Sequence, residues 1–106
     1  MIYEWRTYHA VPGKMAALHR RFVEHTRRIF QRHGIRDVGY FTPSGGEGPL
    51  HYLLAYEDRA TRDAAWEAFR ADPEWQRAKA ESEREGPLVE RIDSLFLEPT
   101  PYSPRP

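Results

Sequence analysis

Two segments of this chain, IYEWRTYH at residues 2–9 and LHYLLAY at residues 50–56, put bulky or apolar side chains on both parities of a strand pattern. A β-strand sends successive side chains to opposite faces, and a sheet with one wet face shows polar residues on one parity. Along the first segment Tyr3, Trp5, Thr7 and His9 share one side, while Ile2, Glu4, Arg6 and Tyr8 share the other. Neither side is plainly solvated. Any fold available to this chain must therefore cover both faces of its sheet.

With 106 residues the chain fits one domain, and one this short buries only about two-thirds of its unfolded surface. A second subunit covering an apolar face would offset that shortfall. Sixteen basic and sixteen acidic residues cancel, so no global field draws the protein to nucleic acid or an anionic membrane. Cysteine is absent, which excludes disulfides and thiolate metal sites. The sequence shows no signal-like h-region and no apolar run long enough to span a bilayer, so a cytoplasmic location is expected.

Pro12 and Gly13 break the first strand, and a helix is predicted from about Lys14 to His33. Met15, Leu18, Phe22, Thr26, Ile29 and Phe30 recur at spacings of three and four, with Ala17, Arg20, Arg21, Glu24, Arg27 and Arg28 opposite. Gly34 suits the C-terminal cap. IRDVGYFTP reads as a second strand. SGGEGP follows; it lacks the Lys-Ser/Thr ending of a phosphate loop and joins two strand patterns, so it reads as a hairpin connection.

After the third strand, Asp58 can cap a helix carrying Ala64, Ala65, Trp66 and Phe69. Pro73 cannot continue that helix except as a first-turn residue, so a further short helix is predicted from about Pro73 to Arg84. LVERIDSLFLEP is the fourth strand. Residues 1–98 then form the domain and residues 99–106 a Pro-rich tail with no helix.

The order strand, helix, strand, strand, helix, strand is the split βαβ arrangement of ferredoxin-like domains. The expected class is α+β, a four-stranded antiparallel sheet with both helices on one face. The opposite face would then be an apolar patch larger than monomers usually expose. The same face of a second copy is the simplest cover, giving a twofold homodimer of packed sheets.

YEWRTYHAVPGK, RRFVEHTRRIFQRHGI, VGYFTP, LHYLLAYED and AAWEAFRADPEWQRAKAESE, followed by GPLVERIDSLFLEPTPYSP, resemble the NIPSNAP family over nearly the whole chain. The resemblance implies a dimeric α+β barrel. Relatives in that superfamily include cofactor-independent monooxygenases, haem-degrading enzymes and small-molecule isomerases, and fold does not choose among them. It also implies a ligand site in the cleft between helices and sheet of each subunit.

In such a cleft Arg6 could hold a substrate carboxylate or enolate and Glu4 could act as a base, or the two could form a structural ion pair. His33 lies nearest the centre of the helical apolar stripe, but its place in the last turn is explained by the helix dipole. His25 lies on the flank, within the EH pair that the resemblance marks, and could accept a proton or ligate haem iron; a structural hydrogen bond to a neighbouring strand is the more ordinary explanation. No two histidines stand at i, i+4, which argues against a metal site on this helix.

Tyr8, Tyr40, Trp66 and Trp75 are candidate walls for a flat ligand as well as core residues. Arg20, Arg21, Arg27, Arg28 and Arg32 read as a solvated face, since no exposed aromatics interleave with them. Catalytic candidates are thus His25, Glu4 and Arg6. The reading calls for no cofactor, no nucleic acid and no membrane. A small aromatic or enolisable ligand is the expected partner besides a second copy, and a non-catalytic interaction or sensor module is the alternative.

Overall fold

A computed structural model describes residues 1–46 and 48–105. Glu47, in the SGGEGP stretch, and Pro106, the last residue of the tail, lie outside the described residues. The elements are β1 (Ile2–Ala10), a first helical rod, β2 (Arg36–Phe41), β3 (Leu50–Tyr56), α3 (Arg59–Ala71), α4 (Pro73–Ser82) and β4 (Val89–Leu97). The rod comprises α1 (Met15–Arg21), a π-helical stretch (Phe22–Thr26) and α2 (Arg27–Arg32).

The four strands form one antiparallel sheet in the order β2-β3-β1-β4. Tyr3 pairs with Ala55 and Leu97, and Arg6 with Tyr52 and Ser94, so one parity of every strand faces the helices and the other faces away. Glu4, Arg6 and Tyr8 fall on the helix side beside Tyr52, Leu54 and Tyr56. Tyr3, Trp5, Thr7 and His9 fall on the outer side.

The helical rod is continuous, but its middle differs from a simple 3.6-residue pattern. Leu18, Phe22, Thr26, Ile29 and Phe30 are buried as the spacing predicts. Arg21, read as solvent-facing, is instead buried: its side chain is only 5 % exposed. Two causes combine. The widened π turn shifts the helix face, and α4 packs alongside this stretch, bringing Ser82 and Glu83 to the Arg21 guanidinium at 3.2 and 3.3 Å.

The rod ends where Gly34 takes φ +74°, and the Ile35 amide donates to the Phe30 carbonyl at 2.9 Å. Only glycine enters that left-handed region without strain. Asp58 caps α3 by accepting from the Thr61 amide at 2.7 Å. Asp72 caps α4, with Pro73 at its first turn, and also joins His33 and Arg32 at the end of the rod.

The core between helices and sheet is strongly aromatic. Tyr52, Phe30, Leu18, Ile29, Ile35 and Leu54 are fully buried there, and Phe22 meets Tyr8, Tyr40 and Tyr52 at ring separations of 5.4 to 5.8 Å. Edge and tilted contacts of this kind add to the burial of area. Among the described residues, no element packs over the outer side of the sheet. Trp5 stacks there with His51 and Phe41, while Phe41, Leu95 and Leu97 are 51, 58 and 39 % exposed.

Candidate functional site

Alternation along β1 places Glu4, Arg6 and Tyr8 in a row on the helix side, where a charged residue needs partners to be tolerated. Glu4 is completely buried. Arg6 donates to it at 2.9 Å, Tyr56 at 2.8 Å and Ser94 at 2.6 Å, while Arg62 of α3 donates to both of its oxygens at 3.1 and 3.0 Å. Burial by itself would raise the Glu4 carboxyl. Hydrogen bonds from Arg62 and Ser94, the charge of Arg6 and the Tyr56 hydroxyl outweigh it and hold the pKa at about 2.

Arg6 is held on every side. Its Nε donates to the Tyr52 hydroxyl at 2.9 Å and its Nη2 to Tyr8 at 3.3 Å, and the guanidinium lies 4.4 Å from the Trp66 ring centre. Burial disfavours its charge, but Tyr52, Tyr8 and Glu4 more than compensate, so it stays charged. Trp66 in turn donates its indole N–H to Tyr56 at 2.7 Å, which closes the network. Glu4, Arg6, Tyr8 and Trp66, all expected at the site, are thus brought together.

The other expected residues go elsewhere. Tyr40 stacks on Tyr52 and donates to Asp37 at 2.9 Å; burial first, then Asp37, pushes its hydroxyl well above its ordinary pKa. Trp75 packs on Phe69 with the Arg21 guanidinium 5.3 Å from its ring centre. His25 lies in the π-helical stretch and joins neither Glu4 nor Arg6. It lines a groove of about 480 Å³ bounded by the rod, α4 and the residues preceding β4. A second cavity, of about 440 Å³, lies at the start of the rod beside His9, Met15, Pro49 and Glu90.

Arg62 and Ser94 complete the Glu4 site, and neither was anticipated. A signal for Arg62 was present: it precedes Trp66 by four residues, one turn along the same face of α3. Ser94 carried none, because its position opposite Arg6 depends on the β1–β4 register.

Arg59 and Arg62 share the exposed Asp63, so three guanidiniums, those of Arg6, Arg59 and Arg62, face two carboxylates, Glu4 and Asp63. Arg59 and Arg62 also lie over the Phe96 ring at 3.9 and 5.2 Å. Further along the same side of β4, Ile92 and Ser94 are exposed. The Arg59 guanidinium, 60 % exposed, thus lies beside an aromatic, partly open strip of sheet.

The NIPSNAP family model matches residues 3–104. Among solved structures, an uncharacterized NIPSNAP domain protein from Burkholderia xenovorans is 27 % identical with a TM-score of 0.83, covering 99 % of this chain and 100 % of that one. Protein Atu4242 of Agrobacterium tumefaciens is 26 % identical with a TM-score of 0.84, covering 98 % of both chains. A candidate antibiotic biosynthesis monooxygenase from Nitrosomonas europaea is 10 % identical with a TM-score of 0.66, covering 92 % of this chain and 97 % of its own. At that identity the likeness is one of fold. No curated protein matches the sequence.

Proposed function

Given that this chain belongs to the NIPSNAP family, we propose that it works as a homodimer that binds a small anionic or enolisable aromatic compound beside Arg6, on the helix side of the sheet. The observation that carries this reading is the clustering of the Arg6, Arg59 and Arg62 guanidiniums beside the partly open Phe96 strip of the sheet. An anionic oxygen placed beside Arg59 and Arg62 would pair with these cations, and the partly exposed ring of Phe96 offers a flat apolar wall. The dimer rests on the outer sheet face, where Trp5, Phe41, Leu95 and Leu97 form an apolar surface that a second copy would cover.

In this reading Glu4 is not the base. A carboxylate accepting from four side chains, with its pKa near 2, accepts a proton poorly at neutral pH; it fixes the Arg6 guanidinium instead. Arg6 contributes an oriented, permanent cation, which stabilises an enolate or phenolate oxygen. Isomerisation or cofactor-independent oxidation of such a compound would draw on that stabilisation.

The test is binding of quinols, hydroxybenzoates and β-keto acids to the purified dimer, followed by native mass spectrometry and NMR titration. The wild type retains a member of that panel, and Arg6→Lys, which keeps the charge but loses the planar fork, binds it about tenfold more weakly. If no compound binds a folded protein, or if Arg6→Lys binds as well as wild type, the reading fails.

One observation favours a second reading, a non-catalytic interaction module. The interior between helices and sheet is filled by Tyr52, Phe30 and Leu54, which leaves ligand space only at its margins. Failure of the whole panel with an intact dimer would support it.

A further inference from the structure

A second copy seated on the outer face of the sheet would cover one titratable side chain, His51, whose charge that face does not balance. His51 is half-buried on the outer side of β3, where the register sets it between Phe41 of β2 and Thr7 of β1. Its ring stacks on Trp5 at 5.5 Å with an interplanar angle of 17°, and Trp5 stacks in turn on Phe41 at 6.0 Å. A surface that covers Trp5 and Phe41 therefore covers His51 as well.

A neutral imidazole suits that place. Thr7 Oγ1 lies 3.0 Å from His51 Nδ1, and a hydroxyl serves either tautomer, donating to a bare ring nitrogen or accepting from an N–H. A protonated ring is different, because taking a cation out of water is costly unless a counter-charge replaces the solvent. The groups facing His51 on its own sheet are Thr7 and Trp5 of β1, Phe41 of β2 and Leu53 of β3. None is an anion. His9, two residues along β1 on the same side, would add a second cation. Trp5 attracts a cationic ring, but it does so in the separated subunit too and does not favour the dimer.

The partner's chemistry is fixed as well, since a twofold interface presents the same surface from both copies. Of the residues that the strand register places on this face, Asp93 is the one carboxylate, and His9 at 2.9 Å and Arg91 at 3.1 Å already hold it. In a separated subunit, water solvates the charged ring instead.

We propose that His51 makes the association of two copies pH-dependent, the dimer holding both imidazoles neutral and separating as each takes up a proton. This switch rests on the face-to-face dimer built on Trp5, Phe41, Leu95 and Leu97. The separated subunit binds the proton more tightly, so association is complete above the ordinary imidazole range, about pH 6.5, and is lost as pH falls through it.

Sedimentation equilibrium of the full chain at about pH 7.5 and about pH 5.5 tests the switch. Two protons are taken up per dimer, so the wild-type dissociation constant rises about a hundredfold between these values, while that of His51→Gln changes less than about threefold. A wild type that is dimeric at the higher pH with an unchanged constant at the lower one overturns the switch and leaves the dimer standing. A wild type that is monomeric at the higher pH overturns both. A pH response that survives in His51→Gln also overturns the switch, because another group then carries the proton. Should that variant misfold, the wild-type His51 ring resonances are titrated by NMR at about 20 µM and about 1 mM protein. Their midpoint moves to lower pH at the higher concentration, and a midpoint independent of concentration overturns the switch.

Discussion

At the scale of single residues the molecule turns on Glu4. A buried charge is tolerable only while its partners stay in place, and removing one member of such a set strands the others. Glu4→Gln leaves Arg6 and Arg62 facing no buried carboxylate and is expected to cost about 3 to 5 kcal/mol in urea unfolding. Tyr56→Phe removes a single hydroxyl that both donates to Glu4 and accepts from Trp66, and a loss of about 1 to 3 kcal/mol is expected. A Glu4→Gln cost no larger than that of Tyr56→Phe would refute the central place given to the carboxylate.

Glu4 also sets the response to acid. Its folded pKa, about 2, lies below the ordinary 4.5, so the stabilisation is fully present above pH 4.5 and is lost as pH falls toward 2. The shift corresponds to about 3 kcal/mol. Asp72 acts in the same direction, its carboxyl held at about 2 by the hydrogen bond from His33 and then by the Glu74 amide and Arg32. Urea midpoints measured from pH 7 down to pH 2 should fall steeply below pH 4.5, and Glu4→Gln should flatten much of that fall.

At the scale of elements, two devices decide where helices start and turn. Asp58 is an N-cap in extended backbone that accepts from the Thr61 amide, so Asp58→Ala is expected to lower stability by about 1 kcal/mol, read from the urea midpoint. Thr26 lies within the π-helical stretch, and its hydroxyl donates to the Arg21 carbonyl at 3.3 Å. Thr26→Val keeps the volume but leaves that carbonyl short of a donor. A cost of about 1 kcal/mol is expected, together with a shift of the His25 ring resonances as the turn tightens. Unchanged His25 resonances would show that the hydroxyl does not hold the π turn.

At the scale of the whole molecule, the sheet is asymmetric. Its helix side buries an aromatic core, and its outer side leaves Leu95, Leu97 and Phe41 in solvent. The proposed dimer predicts sedimentation at twice the subunit mass, and Leu95→Glu, which puts a charge on that surface, should convert it to monomer. A wild-type protein sedimenting as one subunit at micromolar concentration would remove the dimer from the account. The same outer face holds His9 between Asp93 and Arg91, and His51 against Thr7, so its polar rim is already paired within one chain.

Local pattern was enough to establish the element order, the Asp58 and Gly34 caps, the role of Pro73 and the grouping of Glu4, Arg6 and Tyr8 on one side of β1, because each depends on neighbours within a few residues. That Glu4, Arg6, Tyr8 and Trp66 would meet in a cleft between helices and sheet was implied by the family resemblance. Tertiary structure decided the rest. Arg62 and Ser94 reach Glu4 only through the packing of α3 and the register of β4, and the π turn buries Arg21 against α4 and carries His25 away from Arg6. Contacts between residues 58 or 90 positions apart depend on how elements dock, and no periodicity within a single element records that.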